Sequence, residues 1–438
     1  MRKTLLLPAS ALCAALFALP HAQAAQEIQL WHSMQGASGA EIERLVGQFN
    51  AAQAEYRVAA VYKGSQEQTL AAALAERKHA SGPDLVQVND AGTADLMAGK
   101  DEVRPLWQVM SEAGHPLDAK VVPAVADYFS DAKGRLLAMP LNTATPVLYY
   151  NRDAFKRARL DPSKPPKTWY EMPKTLGALQ ESGSACPFTT AFPSWVLLEN
   201  MSAWHNEEFA THQNGMDGSG ARLAFNGQLM VRWIAMLSSW LKSGYFAYSG
   251  RGNEAEARFA SGECAVLTSS SASYAELREH SKFDLGVAQF PYYDDFRGAP
   301  QNTLGGGGAL WVMAGRPKAD YRGVARFLAF LARPEVQAEW HQKTGYAPLT
   351  MAAYELSREQ GFYAKYPGYE VAMHQLVYKR PTAESRGIRL VHLRSIRSII
   401  DEELEAVWGG KKTPIEALNM AVSRGNEVLE RLAKAHGS

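Results

Sequence analysis

Glu27-Ile28-Gln29-Leu30-Trp31-His32-Ser33-Met34-Gln35-Gly36-Ala37-Ser38-Gly39-Ala40-Glu41-Ile42-Glu43-Arg44-Leu45-Val46 contains, in twenty residues, a complete strand–turn–helix unit. Apolar and polar side chains alternate from Glu27 to His32, the period of a half-buried strand. Glycines 36 and 39 mark a turn, and Ser38 followed by Glu41 reads as a capping box. Ile42, Leu45, Val46 and Phe49 then recur at helical spacing. The same order returns downstream: a strand over 57–62, a helix over 65–77, a strand over 84–88 and a helix from about Thr93. Strands that alternate with helices of this length predict a mainly parallel sheet flanked by helices, with ligands taken at the carboxyl ends of the strands. Those ends fall at 32–35, 62–66 and 89–92.

The middle of the chain is richer in helix and aromatics. Pro162, Pro165 and Pro166 make a rigid approach to Lys167-Thr168-Trp169, which predicts Trp169 on a loop. Two more tryptophans lie in 192–204, and 227–242 has the spacing of a long amphipathic helix. A strand over 263–268 runs into Ser269-Ser270-Ser271 and a helix over 274–280. Serines at a strand end and helix start suit an anion, though serine also caps helices for purely structural reasons. Four glycines, 305–308, precede a strand over 309–313. They allow close backbone approach to a ligand or a crossing between domains, and they lack the Gly-Lys-Ser/Thr ending of a phosphate-binding loop. From Tyr321 onward the pattern is mostly helical.

The first 24 residues have the form of a cleaved export signal: Arg2 and Lys3, an apolar run from Leu5 to Leu19, and Ala22-Gln23-Ala24 as a small-x-small cleavage site. The mature chain is therefore expected to begin near Ala25 and to work outside the cytoplasm. Its length exceeds what one core usually supports, so two domains are expected. A net charge of +1, with 21% charged residues and no long run of one sign, argues against a nucleic-acid partner. Two cysteines remain in the mature chain, Cys186 and Cys264; an oxidising compartment permits a bridge, and two buried thiols fit equally well.

Catalytic and metal-binding patterns are missing. The sequence has no Gly-x-Ser-x-Gly and no His-Glu-x-x-His, and the spacing of His205 and His212 around Glu207 and Glu208 fits no helical metal pair. The carboxylates from Asp401 to Glu405 read as a solvated helix face. No enzyme activity, cofactor or metal is expected.

Several segments carry a resemblance. Trp31-His32-Ser33-Met34, Tyr62-Lys63-Gly64, Thr145-Pro146-Val147-Leu148-Tyr149-Tyr150-Asn151, Pro166-Lys167-Thr168-Trp169 and Trp340-His341-Gln342-Lys343-Thr344-Gly345-Tyr346 stand in one order. Asp401-Glu402-Glu403-Leu404-Glu405 and Gly409-Gly410-Lys411-Lys412-Thr413-Pro414 continue it. In that order they resemble the periplasmic glycerol-3-phosphate-binding proteins of ABC importers, within extracellular solute-binding protein family 1. The resemblance implies an α/β, two-lobed type II periplasmic-binding-protein fold with a hinge and an interlobe ligand cleft. Residues 25–143 plus 303–348 would form lobe one, and 144–302 plus 349–438 lobe two.

By the same resemblance Ser270, Gly307, Tyr346 and Arg397 contact ligand, and Trp169 is an aromatic wall of the cleft. Arg397 suits a bidentate grip on phosphate. Three positions depart from the family's pattern: Gln66 replaces a tyrosine, Asp90 a glutamate and Ala144 a serine. Those changes can lower affinity, or favour a diester such as glycerophosphocholine whose cation lies against aromatic rings. The implied partners are sn-glycerol 3-phosphate or a glycerophosphodiester, an ABC permease and its ATPase; the implied state is monomeric. A sugar or oligosaccharide receptor is the alternative within binding proteins, and a secreted glycerophosphodiester hydrolase the alternative outside them.

Overall fold

A computed structural model describes residues 25–436 apart from 80, 100, 118, 119 and 219. The export signal expected over 1–24 therefore lies outside the described residues. Two sheets organise the chain. The first contains β1 (Gln26–His32), β2 (Tyr56–Tyr62), β3 (Leu85–Asn89), β4 (Val103–Arg104), β5 (Met139–Ala144) and β11 (Gly306–Met313). The second contains β6 (Pro146–Asn151), β7 (Cys186–Thr190), β8 (Phe246–Ala247), β9 (Cys264–Ser270) and β10 (Leu285–Gln289). Each sheet supports its own lobe, with hydrophobic clusters on its faces.

Both sheets are mixed, a correction to the expected mainly parallel arrangement. The order β2-β1-β3 is parallel, but β11 pairs antiparallel with β3, β4 and β5. In the second sheet β7 is parallel to β8 and β9, while β6 is antiparallel to β9 and β10. The cause is connectivity: β5 turns into β6 at Thr145, and β11 re-enters the first sheet after β10, so strands near the crossings run against the rest. Three of the glycines expected to precede the strand over 309–313, Gly306 to Gly308, belong to it as the start of β11.

Local signals misled in one place and succeeded in another. The helix Gly36–Ala52 begins before the Ser38–Glu41 box, because Gly39 N–H already bonds Gln35 C=O at 3.1 Å. Glu41 is instead buried and receives Arg44. At Ser65, where the sequence points only to the start of a helix, the helix begins as expected and a capping box forms: the Ser65 side chain accepts from Gln68 N–H, and the Gln68 side chain returns to the Ser65 backbone. Cys186 and Cys264 face each other across β7 and β9 and form a disulfide with Cα atoms 4.4 Å apart.

The crossings between sheets are fastened by Gln375, a fully buried residue of the helix Gly368–Leu376. Its Nε2 donates to Pro146 C=O at 2.7 Å and to Thr145 Oγ1 at 3.3 Å, and its Oε1 accepts from Phe290 N–H at 2.6 Å. Thr145 Oγ1 also meets Thr303 Oγ1 from the returning segment. One amide thus holds both crossing segments in register.

Candidate ligand-binding site

A cleft of about 450 Å³ lies between the carboxyl ends of the first sheet and the β9 end of the second. From the side of the first sheet it is lined by Gln66, Asp90, Gly307, Tyr346 and Ala144, the last expected in lobe two but placed at the end of β5, paired with Gly306 of β11; from the second lobe it is lined by Ser270 and Arg397. These are seven of the eight residues that the sequence singles out.

Trp169 is the exception, and its expected place on the cleft wall is corrected. Its side chain is fully buried. The ring packs 4.2 Å from Trp233 and 5.5 Å from Phe290. Thr168 forms a parallel bridge with Tyr292, and Trp169 N–H bonds Tyr292 C=O at 3.0 Å, so the proline-stiffened approach turns the indole into the core. Besides Tyr346, the aromatics at the cleft are Phe192 and Trp195.

Phe192 sits at a left-handed φ of 47°, and a π-helical turn follows over Ser194–Glu199. Such irregular backbone concentrates at functional sites. Here it places Trp195 on the cleft against Gly306 and Glu199 behind Arg397.

Arg397 projects from the helix Leu393–Trp408. Its guanidinium forks onto Glu199 at 2.6 and 2.7 Å and reaches Asp90 of the other lobe at 2.8 Å. Burial acts to lower its pKa, but Glu199 and Asp90 outweigh burial and raise it, so it is a fixed cation. Burial pushes the Glu199 carboxyl upward against the pull of Arg397. Two of the carboxylates expected on a solvated face are structural instead: Asp401 and Glu403 are buried, and Glu403 is paired with Lys412 and Arg424, while Glu402 is exposed.

The remaining cleft groups have distinct chemistry. Ser270 Oγ accepts from Ala272 N–H at 3.2 Å, which leaves its own hydroxyl proton to donate. Burial pushes the Tyr346 phenol upward, so it too is a donor. Gly307 holds φ at 148°, and a Cβ there would fall 2.2 Å from Asn142 C=O, so the position keeps bare backbone at the cleft. Gln66 Oε1 is buried with no hydrogen-bond partner among the described residues. The arrangement can hold a small polar ligand with an anionic centre and hydroxyls. No group of acidic, histidine or cysteine side chains suited to a metal occurs among the described residues.

A family model for bacterial extracellular solute-binding proteins matches residues 44–371. The chain belongs to that family. As a solute-binding protein it is 48% identical over 418 residues to the sn-glycerol-3-phosphate-binding periplasmic protein UgpB of Yersinia enterocolitica, covering 95% of each chain. To UgpB of Escherichia coli K12 it is 48% identical over 429 residues, 98% of each. Among solved structures, UgpB of Mycobacterium tuberculosis in complex with glycerophosphocholine superposes with a TM-score of 0.76 at 22% identity, covering 93% of this chain and 99% of that one. The cyclic α-maltosyl-1,6-maltose binding protein of Arthrobacter globiformis superposes with a TM-score of 0.75 at 19% identity, covering 93% and 100%. These likenesses establish the two-lobed type II fold. No helix among the described residues is long and apolar enough to cross a membrane.

Sequence reasoning missed Phe192, Trp195, Glu199 and Glu256. Phe192-Pro193-Ser194-Trp195 offered a weak signal, an aromatic pair around a proline. Nothing local marked Glu199, whose partner Arg397 is 198 residues away.

Proposed function

We propose that this solute-binding protein is the periplasmic receptor of an ABC importer for sn-glycerol 3-phosphate and glycerophosphodiesters. After removal of residues 1–24 it works as a monomer, performs no chemistry and delivers its ligand to an inner-membrane permease driven by an ATPase. The observation that carries this reading is the pairing of two kinds of group in one cleft. Arg397, Ser270 and Tyr346 supply donors for phosphate oxygens, while Gln66 Oε1 and Asp90 supply acceptors for glycerol hydroxyls. UgpB relatives nearly half identical over almost the full chain support the same ligand class.

The sugar-receptor alternative draws on Trp195 and Asp90, groups that also suit a saccharide. Calorimetric titration of refolded, ligand-free mature protein with glycerol 3-phosphate, glycerophosphocholine and maltose separates the two. Binding of a phosphate ester but not maltose is expected; binding of maltose alone would overturn the reading. The hydrolase alternative predicts steady release of glycerol 3-phosphate from a diester, against a flat time course for a receptor.

A further inference from the structure

A second feature of the cleft has no part in holding a phosphate. Glu256, on the helix Glu254–Ala260, lines it and is 8% exposed. Both of its serine partners use the same oxygen: Ser269 and Ser273 hydroxyls donate to Oε1 at 2.5 and 2.6 Å. Oε2 has no hydrogen-bond partner among the described residues, and no ion pair reaches the carboxylate. The one charged neighbour that acts on it is another carboxylate, Glu276, which lines the same cleft.

A carboxylate taken out of water without a counter-ion is costly, and buried charges in proteins are paired. Here no cation among the described residues reaches it. The cleft as a whole repeats the imbalance: Asp90, Glu256 and Glu276 line it against a single cation, Arg397, which is already bracketed by Asp90 and Glu199. A phosphate monoester brings a charge of about −1.5 to −2 at neutral pH, which such a cleft receives poorly. A diester brings one negative charge, and a zwitterionic diester brings a cation as well. Aromatic surface for that cation is close by. Phe192 N–H bonds Gly252 C=O at 2.9 Å, just before the helix that carries Glu256, and Phe192 and Trp195 share the cleft.

We propose that the Glu256 carboxylate is the subsite for a cationic headgroup, so that this cleft takes choline- or ethanolamine-bearing glycerophosphodiesters in preference to glycerol 3-phosphate. The inference rests on the glycerol-phosphate reading and adds the headgroup that the ligand must bear. Oε2 and the aromatic faces receive the ammonium, Arg397 and Ser270 the phosphate, and Asp90 and Gln66 the glycerol hydroxyls.

The test uses mature wild-type protein and three probes in calorimetry: glycerol 3-phosphate, glycerophosphocholine, and the diester whose trimethylammonium is replaced by a neutral tert-butyl group of the same shape. The choline diester should bind at least about tenfold tighter than its neutral isostere, as for a hydrogen bond or contact to a charged group. Glu256→Gln, which keeps an acceptor for both serines, should bring that ratio close to one. Equal affinity for the two diesters in wild-type protein, with glycerol 3-phosphate still bound, would overturn the Glu256 subsite alone. Failure of all three probes to bind would overturn the glycerol-phosphate reading itself.

Discussion

Arg397 Nη2 lies 2.8 Å from Asp90 Oδ2, and this contact ties the helix Leu393–Trp408 of the second lobe to the start of the helix Asp90–Ala98 in the first. The same guanidinium is held from behind by Glu199, whose side chain is 1% exposed. The two carboxylates are therefore not equivalent. Glu199 fixes the fork in place, and Asp90 is the partner that a ligand phosphate can displace or share.

Removing Arg397 leaves Glu199 buried without a cation, which typically costs about 3–5 kcal/mol. Arg397→Ala should lower the urea midpoint accordingly and abolish phosphate-ester binding in calorimetry. Arg397→Lys keeps charge but not the fork, so it should recover most of the stability and bind at least about tenfold more weakly. Equal stability of the alanine variant and wild type would mean that the Glu199–Arg397 pair does not hold the helix.

Asp90→Asn removes the charge that spans the lobes and leaves the Glu199 fork intact. Both side chains of the spanning pair are 19% exposed, so the stability change should be modest, about 1 kcal/mol. The larger effect should be on shape. Small-angle scattering of the ligand-free variant should give a greater radius of gyration than wild type, and added ligand should restore it. An unchanged radius would show that the lobes are held by other contacts.

The two tryptophans should separate packing from binding. Trp169→Ala empties a fully buried site between Trp233 and Phe290, at a cost of about 3–5 kcal/mol. Trp195 is only partly buried and lines the cleft. Trp195→Ala should melt within a few degrees of wild type yet lose ligand affinity. A reversed outcome, with Trp169→Ala stable and unable to bind, would restore Trp169 to the cleft wall.

The contrast also shows which parts of this molecule its sequence discloses. Hydrophobic periodicity is local, and it located β1 to β3, their helices and the strand ends where Gln66 and Asp90 lie. Resemblance then supplied Ser270, Gly307, Tyr346 and Arg397. What remained hidden depends on distant parts of the chain. Trp169 follows prolines that suggest an exposed loop, and its burial is decided by Trp233 and Phe290. Arg397 reads as a free cation until carboxylates 198 and 307 residues away are brought to it. Glu199 comes into place only through a π-helical turn, for which no residue pattern is diagnostic. Glu256 is one acidic residue among many until its serines and the missing cation are seen together.

Asp401 gives a prediction in pH. It lies one helical turn beyond Arg397, accepts Ser194 N–H at 3.2 Å and so anchors the turn that carries Trp195 and Glu199. Burial, only partly offset by Arg251, raises its carboxyl from 3.8 to about 7. A carboxyl whose folded value is raised binds its proton more tightly in the native state. Its contribution is therefore fully present below the unfolded value near 4 and is lost as pH climbs through the folded value near 7. At about 1.4 kcal/mol for each tenfold change in proton activity, the ceiling across that window is about 4 kcal/mol. Asp401→Asn keeps an acceptor for Ser194 and never ionises. The variant should match wild type near pH 4 and become progressively more stable than wild type up to pH 8. Buried His205 and His341, both lowered to about 4, titrate alike in the two proteins and cancel in the difference. Urea unfolding at intervals across this range measures the gap, and parallel stability curves would show that Asp401 keeps an ordinary carboxylate pKa in the folded protein.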